Sequence, residues 1–147
     1  MVTEITLPNP PKPLGLYEPV GRIENILYSC GTTARDPRYK GRLGENVTTS
    51  LGTEAARKCA LNVISILKEA LEDLSKIEQL VKMNVYVATV NTWEEHSKLA
   101  DGASAVFHEL LGERGRHART TIGVSCLPGG TCVEIEVVVK ISEMKKG

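Results

Sequence analysis

The amino-acid sequence predicts a single α+β domain with the element order β-β-α-β-α-β-β, in which two helices cover one face of a mixed sheet. Two segments carry apolar residues at three- and four-residue spacing, which is the period of an amphipathic helix. The segments that flank them alternate between apolar and polar residues, which is the period of a strand. A chain of 147 residues is long enough for one domain with a substantial core. Right-handed crossovers would place both helices on the same face of the sheet.

The N-terminal half is predicted to contain an extended segment, a hairpin and one long helix. Residues 1–16 include four prolines, which favour an extended lead-in. Short strands over residues 17–22 and 26–29 are close enough in sequence to form a hairpin. Residues 36–46 form a polar loop with two glycines, a composition typical of loops that move. The helix is predicted over residues 50–74, with its apolar side toward the sheet.

The C-terminal half is predicted to contain a strand, a helix and a second hairpin. A strand is predicted over residues 77–90, and residues 92–95 match a capping box that begins the next helix. Gly112 is expected to end this helix. Alternation then predicts strands over residues 117–126 and 132–141. Because only a short Pro-Gly-Gly turn separates these two strands, they are expected to pair as an antiparallel hairpin.

The strand over residues 117–126 has an unusual polar face. Its residues alternate in two rows, one with Arg119, Thr121, Gly123 and Ser125 and the other with Ala118, Thr120, Ile122, Val124 and Cys126. A guanidinium, two hydroxyls and a glycine in one row are typical of a small anion site, since the guanidinium donates two parallel hydrogen bonds to a carboxylate. An arginine on an ordinary exposed face explains the same pattern equally well.

The two final strands are expected to turn their apolar rows toward the same core. Arg119 and Thr121 would then share one surface with Glu134 and Glu136, where a carboxylate beside bound substrate is suited to proton transfer through water. A plain cross-strand Arg–Glu pair is the alternative. Tyr86 and other apolar residues on this face predict association of subunits through it, with sites in the clefts between subunits.

The strand end over residues 29–33 is a second candidate ligand contact. Its small, hydroxyl-rich residues surround Gly31, so its backbone amides are accessible to a ligand; an ordinary strand-end turn has the same composition. Asn62 lies beside the apolar stripe of the first predicted helix. Two roles are open for this side chain: holding the backbone of the glycine-containing strand end, or contacting solvent.

The composition disfavours several classes of protein. Eighteen basic and eighteen acidic residues give no net charge, whereas nucleic-acid binders usually carry a basic excess. No apolar run approaches the roughly 20 residues of a membrane span, and prolines stand where a secretion signal would be apolar, so a cytoplasmic location is expected. The four cysteines form no Cys-x-x-Cys pair, and no histidine spacing completes a zinc site. We therefore expect free thiols and neither a metal nor an organic cofactor.

The sequence resembles the YjgF/RidA family over about residues 13–141, nearly the whole chain. No single motif is highly specific, but their combination in this order is. The motifs are Gly15-Leu16-Tyr17, Ser29-Cys30-Gly31, Glu54-Ala55-Ala56 through Asn62, His117-Ala118-Arg119-Thr120-Thr121, Leu127-Pro128 and Val133-Glu134-Ile135-Glu136.

This resemblance implies a chorismate-mutase-like fold, assembled as a homotrimer with clefts at the subunit interfaces. In the best-known branch, the activity is hydrolytic deamination of reactive 2-enamine and 2-imino acids to 2-keto acids and ammonia. Carried over to this chain, Arg119 grips the carboxylate of the metabolite, and Glu134 positions or activates the attacking water. Tyr17 lines the cleft, and the backbone of Cys30 and Gly31 contacts the substrate.

The chain also departs from that branch. Cys30 stands where serine is usual, Thr32 where glutamine is frequent, and Thr121 where cysteine is frequent; Thr32 and Thr121 are retained as predicted substrate contacts. The segment over residues 35–53 is longer and looks more like a second branch whose substrates are largely unassigned. A trimer that binds a small carboxylate without turnover is therefore a competing hypothesis.

Two further activities are disfavoured. The family has also carried the label endoribonuclease (L-PSP type), but a neutral chain without a histidine pair is a poor ribonuclease candidate. A chorismate mutase would need a second cation beside the first, and only Arg114 or Arg116 is near it in sequence.

Overall fold

Two helices lie against one face of a six-stranded mixed sheet in the computed structural model, which describes residues 5–142. The strand order is β1-β2-β6-β4-β5, and the short β3 also pairs with β6. The elements are β1 (Val20–Ile23), β2 (Ile26–Ser29), β3 (Thr32–Thr33), α1 (Thr49–Leu71), β4 (Ile77–Ala88), α2 (His96–Leu111), β5 (Ala118–Val124) and β6 (Val133–Ile141). The predicted α+β class and the placement of both helices are confirmed. Residues 1–4 of the predicted lead-in lie outside the described region.

Helix α1 begins and ends close to the predicted positions, for local reasons. The Thr48 side chain accepts a hydrogen bond from the Leu51 amide at 3.1 Å and caps the first turn. Glu72 has a φ of 68°, which breaks the helix three residues before the predicted end. The predicted apolar stripe is largely buried, although Ala70 is exposed.

Helix α2 begins at His96, four residues later than the capping box predicted. The expected box does not form, because the side chains of this segment bind the start of α1 instead. The Trp93 indole donates to the Thr49 hydroxyl at 2.9 Å, and the Glu95 carboxylate accepts a hydrogen bond from the same hydroxyl. The end of α2 is as predicted, with Gly112 at a φ of 60°.

Strand β4 is an interior strand of the sheet, between β6 and the edge strand β5. Met83, Val85 and Val87 are fully buried beneath the helices, whereas Asn84 and Tyr86 project from the opposite face, which we call the open face. These assignments agree with the predicted alternation.

The alternation of β4 fails at one position. Val81, expected on the buried side, is 43% exposed, while Leu80 is fully buried. The pairing with β6 shifts register between Leu80 and Lys82. A bulge at this point adds one residue and exchanges the two faces of the strand.

The predicted hairpin of β5 and β6 is wrong. Strand β4 lies between them: β5 pairs with it in parallel, and β6 pairs with it in antiparallel. The apolar rows of β4 and β6 are long enough to occupy the centre of the sheet. The helix-facing row of β5 contains Arg119, Thr121 and Gly123. This strand lies at the edge of the sheet, where its residues are only partly buried.

The predicted orientation of β5 is also wrong. Arg119 is the register partner of Met83 and Thr121 that of Val85, so both point toward the helix layer. Ile122 projects instead from the open face and is 47% exposed. Arg119 and Thr121 therefore do not share a surface with Glu134 and Glu136. A period of two defines two faces of a strand but does not say which one is inward.

The segment over residues 36–46 is packed at several points. Tyr39 and Leu43 are buried, and the Leu43 amide donates to the Ala88 carbonyl at 2.8 Å. The Gly41 amide donates to the Gly130 carbonyl at 2.9 Å. These contacts hold the segment against the ends of β4 and β6.

Candidate active site

A cavity of about 420 Å³ opens where three segments of the chain meet. Leu14 and Tyr17, which precede β1, form one wall, and the segment from Gly31 to Lys40 contributes most of the polar wall. The turn that precedes β6, together with Glu134, completes it. We call this space the Glu134 cavity. Its mixture of apolar walls with a few charged groups is typical of small-molecule sites.

Glu134 is the acidic group best placed for chemistry in this cavity. It is half-buried on β6, opposite Thr33 of β3. Burial raises the pKa of Glu134 above its ordinary value, and the nearby carboxylate of Glu136 raises it further. A carboxyl group with a raised pKa is suited to accept a proton and return it near neutral pH.

Gly31 leaves the space in which the Glu134 carboxylate lies. A Cβ atom built on Gly31 would stand 2.8 Å from Oε1 of Glu134, well inside normal contact distance. The absence of a side chain at this position therefore leaves room for the carboxylate beside the start of β3. The need for this space explains why glycine, and not a larger residue, occupies position 31 in the sequence motif.

The backbone beside Gly31 is held by buried polar side chains. Thr32 faces the core rather than the cavity, and its hydroxyl donates to the Cys30 carbonyl at 3.1 Å. The Asn62 amide donates to the carbonyls of Thr33 at 2.9 Å and Ala34 at 3.3 Å. Of its two open roles, Asn62 thus has the structural one. The hydrogen bonds of Asn62 fix the backbone at and just after the end of β3, where the chain continues into the cavity wall.

The predicted site residues fall into two groups. Tyr17, Gly31 and Glu134 line the same cavity, and Cys30 is half-buried directly before Gly31. Arg119 and Thr121 are on β5, separated from β6 by β4 and directed to the other face of the sheet. Within one protomer, the structure does not bring Arg119 to Glu134.

Arg119 is bound by the side of α2. Its Nη1 donates to Asp101 Oδ1 and to Ser104 Oγ, both at 2.9 Å. Its Nη2 donates to the carbonyl of Ser97 at 3.1 Å and to the hydroxyl of the same residue at 2.9 Å. Only 19% of the Arg119 side chain is exposed. Thr121, on the same row, has a buried hydroxyl without a hydrogen-bond partner in residues 5–142.

His117 extends the polar network around Arg119. Its Nδ1 lies 2.7 Å from the Gly115 carbonyl, which only accepts, so this nitrogen carries the proton. Its Nε2 then accepts from the Ser104 hydroxyl at 2.9 Å, and that oxygen accepts from Arg119. Burial lowers the pKa of His117, which favours the neutral ring that this arrangement requires. The network joins α2 to the start of β5.

Two cations in the cavity wall were missed by sequence reasoning. Arg35 and Lys40 line the Glu134 cavity, on either side of a short 3₁₀ turn, Pro37–Tyr39. Arg35 has a φ of 55°, a left-handed conformation uncommon for a side chain of this size. Arg35 lies two residues after the predicted strand end at 29–33 and just before the predicted polar loop at 36–46, so neither prediction included it. Lys40 lies within that loop, and its charge was not distinguished from that of an ordinary solvated loop residue.

The charges of this cavity do not neutralise one another. Asp36 is engaged by Arg38, whose amide donates to it at 2.9 Å and whose guanidinium lies 3.6 Å away. Among the described residues, Arg35 and Lys40 make no ion pair with Glu134. Both cations are exposed to solvent, and they line the same cavity as the half-buried Glu134.

Two negative findings concern the described part of the chain. Residues 5–142 contain no cluster of three His, Cys, Asp or Glu side chains arranged to hold a metal ion. No helix in that range has the length and apolar character needed to cross a membrane. Cys30, Cys59, Cys126 and Cys132 are all free thiols, as expected.

The protein has a mixed sheet with two helices on one face, and the Glu134 cavity lies beside a strand end. This architecture places it among the chorismate-mutase-like α+β proteins. The chain belongs to the family described as "YjgF/chorismate mutase-like, putative endoribonuclease", whose model matches residues 1–139.

Comparison with individual proteins agrees with this assignment. Protein TCP17 of Trypanosoma cruzi is 42% identical over 103 residues, which span 69% of this chain and 64% of that protein. The crystal structure of protein Atu1372 from Agrobacterium tumefaciens, of unknown function, is 35% identical with a TM-score of 0.85, covering 93% of this chain and 85% of that one. A 2-iminobutanoate/2-iminopropanoate deaminase of Dermatophagoides farinae is 27% identical over 139 residues, covering 93% and 94% of the two chains.

Proposed function

We propose that this protein hydrolyses small 2-imino acids, and their 2-enamine tautomers, to 2-keto acids and ammonia. The observation that carries the proposal is the half-buried Glu134 with its raised pKa, in a cavity that also holds Tyr17 and cationic side chains. The relative from Dermatophagoides farinae that is named a deaminase of this kind supports it. Free cysteines support a cytoplasmic location.

The chemistry needs one water molecule and one group that moves protons. The water oxygen forms a bond to C2 of the imine while Glu134 accepts a proton from that water. The same carboxyl group returns the proton to nitrogen, which gives a tetrahedral aminoalcohol. Glu134 then accepts the hydroxyl proton and passes it to the amino nitrogen as the C2–N bond breaks, so ammonia leaves, the 2-keto acid remains and the Glu134 carboxylate is regenerated. Positioned proton transfer of this kind typically contributes about 10²–10⁴-fold to a rate.

We further propose that the working site lies at an interface in a homotrimer. The open face of the sheet exposes about half of the Tyr28 and Ile122 side chains and much of Val81. Apolar groups on one sheet face favour burial against another subunit. The role of Arg119 as carboxylate anchor stays a prediction. In the protomer both of its terminal nitrogens bind α2, so a ligand would have to compete with Asp101.

A coupled assay tests the deaminase proposal. An amino-acid oxidase generates 2-imino acids with different side chains, and their decay is followed with and without the protein. We expect Glu134→Gln to lower the enzyme-dependent rate by about 10²–10⁴-fold. Glu78→Gln is the matched control, since Glu78 is an exposed acid that pairs with Lys140. Unchanged decay with wild-type protein across all imino acids would contradict the proposal.

A second candidate is a trimer that binds small carboxylates without turnover. The uncompensated Arg35 and Lys40 favour it, because they suit a carboxylate ligand whether or not chemistry follows. Thermal unfolding with a panel of 2-keto acids distinguishes the two functions. Stabilisation by a keto acid, combined with no effect on imine decay, would support binding alone.

A further inference from the structure

We infer that a second cavity, where β4 and β5 end, binds the phosphate group of a small phosphorylated molecule. The cavity has a volume of about 370 Å³, and its walls come from Arg42, from the ends of both strands and from the start of α2. We call it the Arg42 cavity. It shares no lining residue with the Glu134 cavity, so the inference is independent of the proposed deaminase function. The carboxyl ends of neighbouring parallel strands are a frequent place for ligands.

The first argument is that short contacts bring the polar groups of the Arg42 cavity together. Arg42 Nη2 donates to the Thr89 carbonyl at 3.2 Å. Thr89 and His96 both lie against Gly123: a Cβ atom built on this glycine would stand 2.7 Å from Thr89 Cγ2 and 3.2 Å from His96 Nε2. The absence of a side chain at Gly123 therefore leaves open the space beside the imidazole edge.

The second argument is charge in a partly desolvated place. Arg42 is partly buried and forms no ion pair within residues 5–142, and its Nε is buried without a hydrogen-bond partner there. A buried charged donor that lacks a partner is costly, and an ion or water beside the group is a common reason for one. None of the described residues that line the cavity is acidic. His96 is the first residue of α2, so the positive end of the helix dipole also lies here. These features favour an anionic ligand.

The third argument is the number and direction of the donors. The guanidinium of Arg42, the imidazole of His96 and the hydroxyl of Ser125 come from three separate segments around the cavity. A phosphate monoester has three terminal oxygens to accept from three directions, whereas a carboxylate has two. Trp93 also lines the cavity, with its ring 4.7 Å from that of His96, and it offers an apolar surface to the group attached to the phosphate.

The single tryptophan of the chain makes the binding test direct. Because Trp93 lines the Arg42 cavity, its fluorescence and its indole N–H resonance report on this site without a label. Inorganic phosphate is titrated into the whole protein at constant ionic strength, and acetate is titrated in parallel. We expect a saturable change with phosphate, at an affinity at least about tenfold higher than that for acetate, since one additional charge-assisted hydrogen bond contributes about that factor. No saturable response to phosphate, or equal affinity for acetate, would overturn the inference.

Substitutions locate the bound phosphate. Arg42→Gln should weaken phosphate binding by about tenfold or more, and Arg42→Lys should weaken it less, because lysine keeps the charge but loses the planar fork. Gly123→Ala should weaken it as well, since the added Cβ fills the space beside His96. Melting temperatures show whether each variant folds.

Arg116→Gln is the control for loss of one positive charge, because Arg116 is exposed and does not line the Arg42 cavity. Its affinity for phosphate should equal that of the wild type. The inference fails if Arg116→Gln weakens binding as much as Arg42→Gln does. It also fails if folded Arg42→Lys and Gly123→Ala variants both bind phosphate with wild-type affinity, since the ion would then bind elsewhere.

Discussion

Gly31 and Glu134 show how a missing side chain positions a reactive one. Because a Cβ at Gly31 would come within 2.8 Å of Glu134 Oε1, the carboxylate depends on the glycine for its place. The sequence pattern identified both residues as candidates, yet only the pairing of β3 with β6 reveals that they touch.

Gly31→Ala is therefore expected to separate activity from stability. The atom that must move is the end of a flexible side chain, and Gly31 itself is exposed, so the melting temperature should change little. The displaced carboxylate should lower kcat/KM for imino acids by about tenfold or more. Gly21→Ala, with nothing within 4 Å of the added Cβ, is the control. A large fall in melting temperature would show that Gly31 has a role in folding instead.

Glu136 provides a test of how Glu134 titrates. Burial and the charge of Glu136 both disfavour the ionised form of Glu134 and so raise its pKa. The acid limb of the pH–rate profile, where Glu134 becomes protonated, should therefore lie above the ordinary range for glutamate. Glu136→Gln removes one of the two causes, and the limb should move to lower pH. A profile that does not move would mean that another group controls it.

At the scale of elements, the contact of α2 with β5 depends on Arg119. Its four hydrogen bonds reach Ser97, Asp101 and Ser104, which span two turns of the helix. Strand β5 is at the edge and pairs only with β4 among the described strands, so these side-chain bonds to α2 add a second point of attachment.

We expect Arg119→Ala to destabilise the fold by about 1–3 kcal/mol, because it removes the hydrogen bonds of a largely buried guanidinium and leaves the buried Ser104 hydroxyl without that donor, whereas the exposed Ser97 and Asp101 can bind water instead. Chemical denaturation measures this change directly. Arg116→Ala, whose ion pair with Glu113 is exposed, should change stability by less than about 0.5 kcal/mol. Wild-type stability in Arg119→Ala would mean that these bonds are not maintained in solution.

The helix ends were predicted closely where nearby residues in the sequence determine them. The caps of α1 at Thr48 and of α2 at Gly112 lie within a few residues of the chain they end. The start of α2 was missed because Trp93 and Glu95 bind Thr49, a residue far away in sequence. The bulge beside Val81 was missed because it exists only in the pairing of β4 with β6.

At the scale of the whole molecule, the open face of the sheet is the surface that the proposed homotrimer would bury. Tyr28 and Ile122 are exposed there beside a hydrogen-bonded cluster, in which the Tyr86 hydroxyl donates to Glu136 at 2.5 Å. That bond and burial raise the pKa of Tyr86 to about 12, so the phenol stays protonated and remains a donor.

If this face is a subunit interface, Ile122→Lys should dissociate the assembly and reduce deaminase activity with it. Light scattering after size-exclusion chromatography gives the mass of each species. Leu16→Lys, at a fully exposed residue of the lead-in, controls for adding a cation at an apolar position. A wild-type mass equal to one protomer would contradict the proposed homotrimer.

The sequence by itself determined the two helices and most strand positions, because local periodicity carries that information, and the family resemblance singled out Tyr17, Gly31 and Glu134 as candidates. Tertiary structure alone decided that β4 separates β5 from β6, that Arg119 turns toward α2, and that Arg35 and Lys40 join Glu134. The physical reason is that strand order and facing depend on which apolar rows bury best together. Strand order and the buried face of each strand depend on packing between segments that are distant in sequence, and a local pattern does not contain this information.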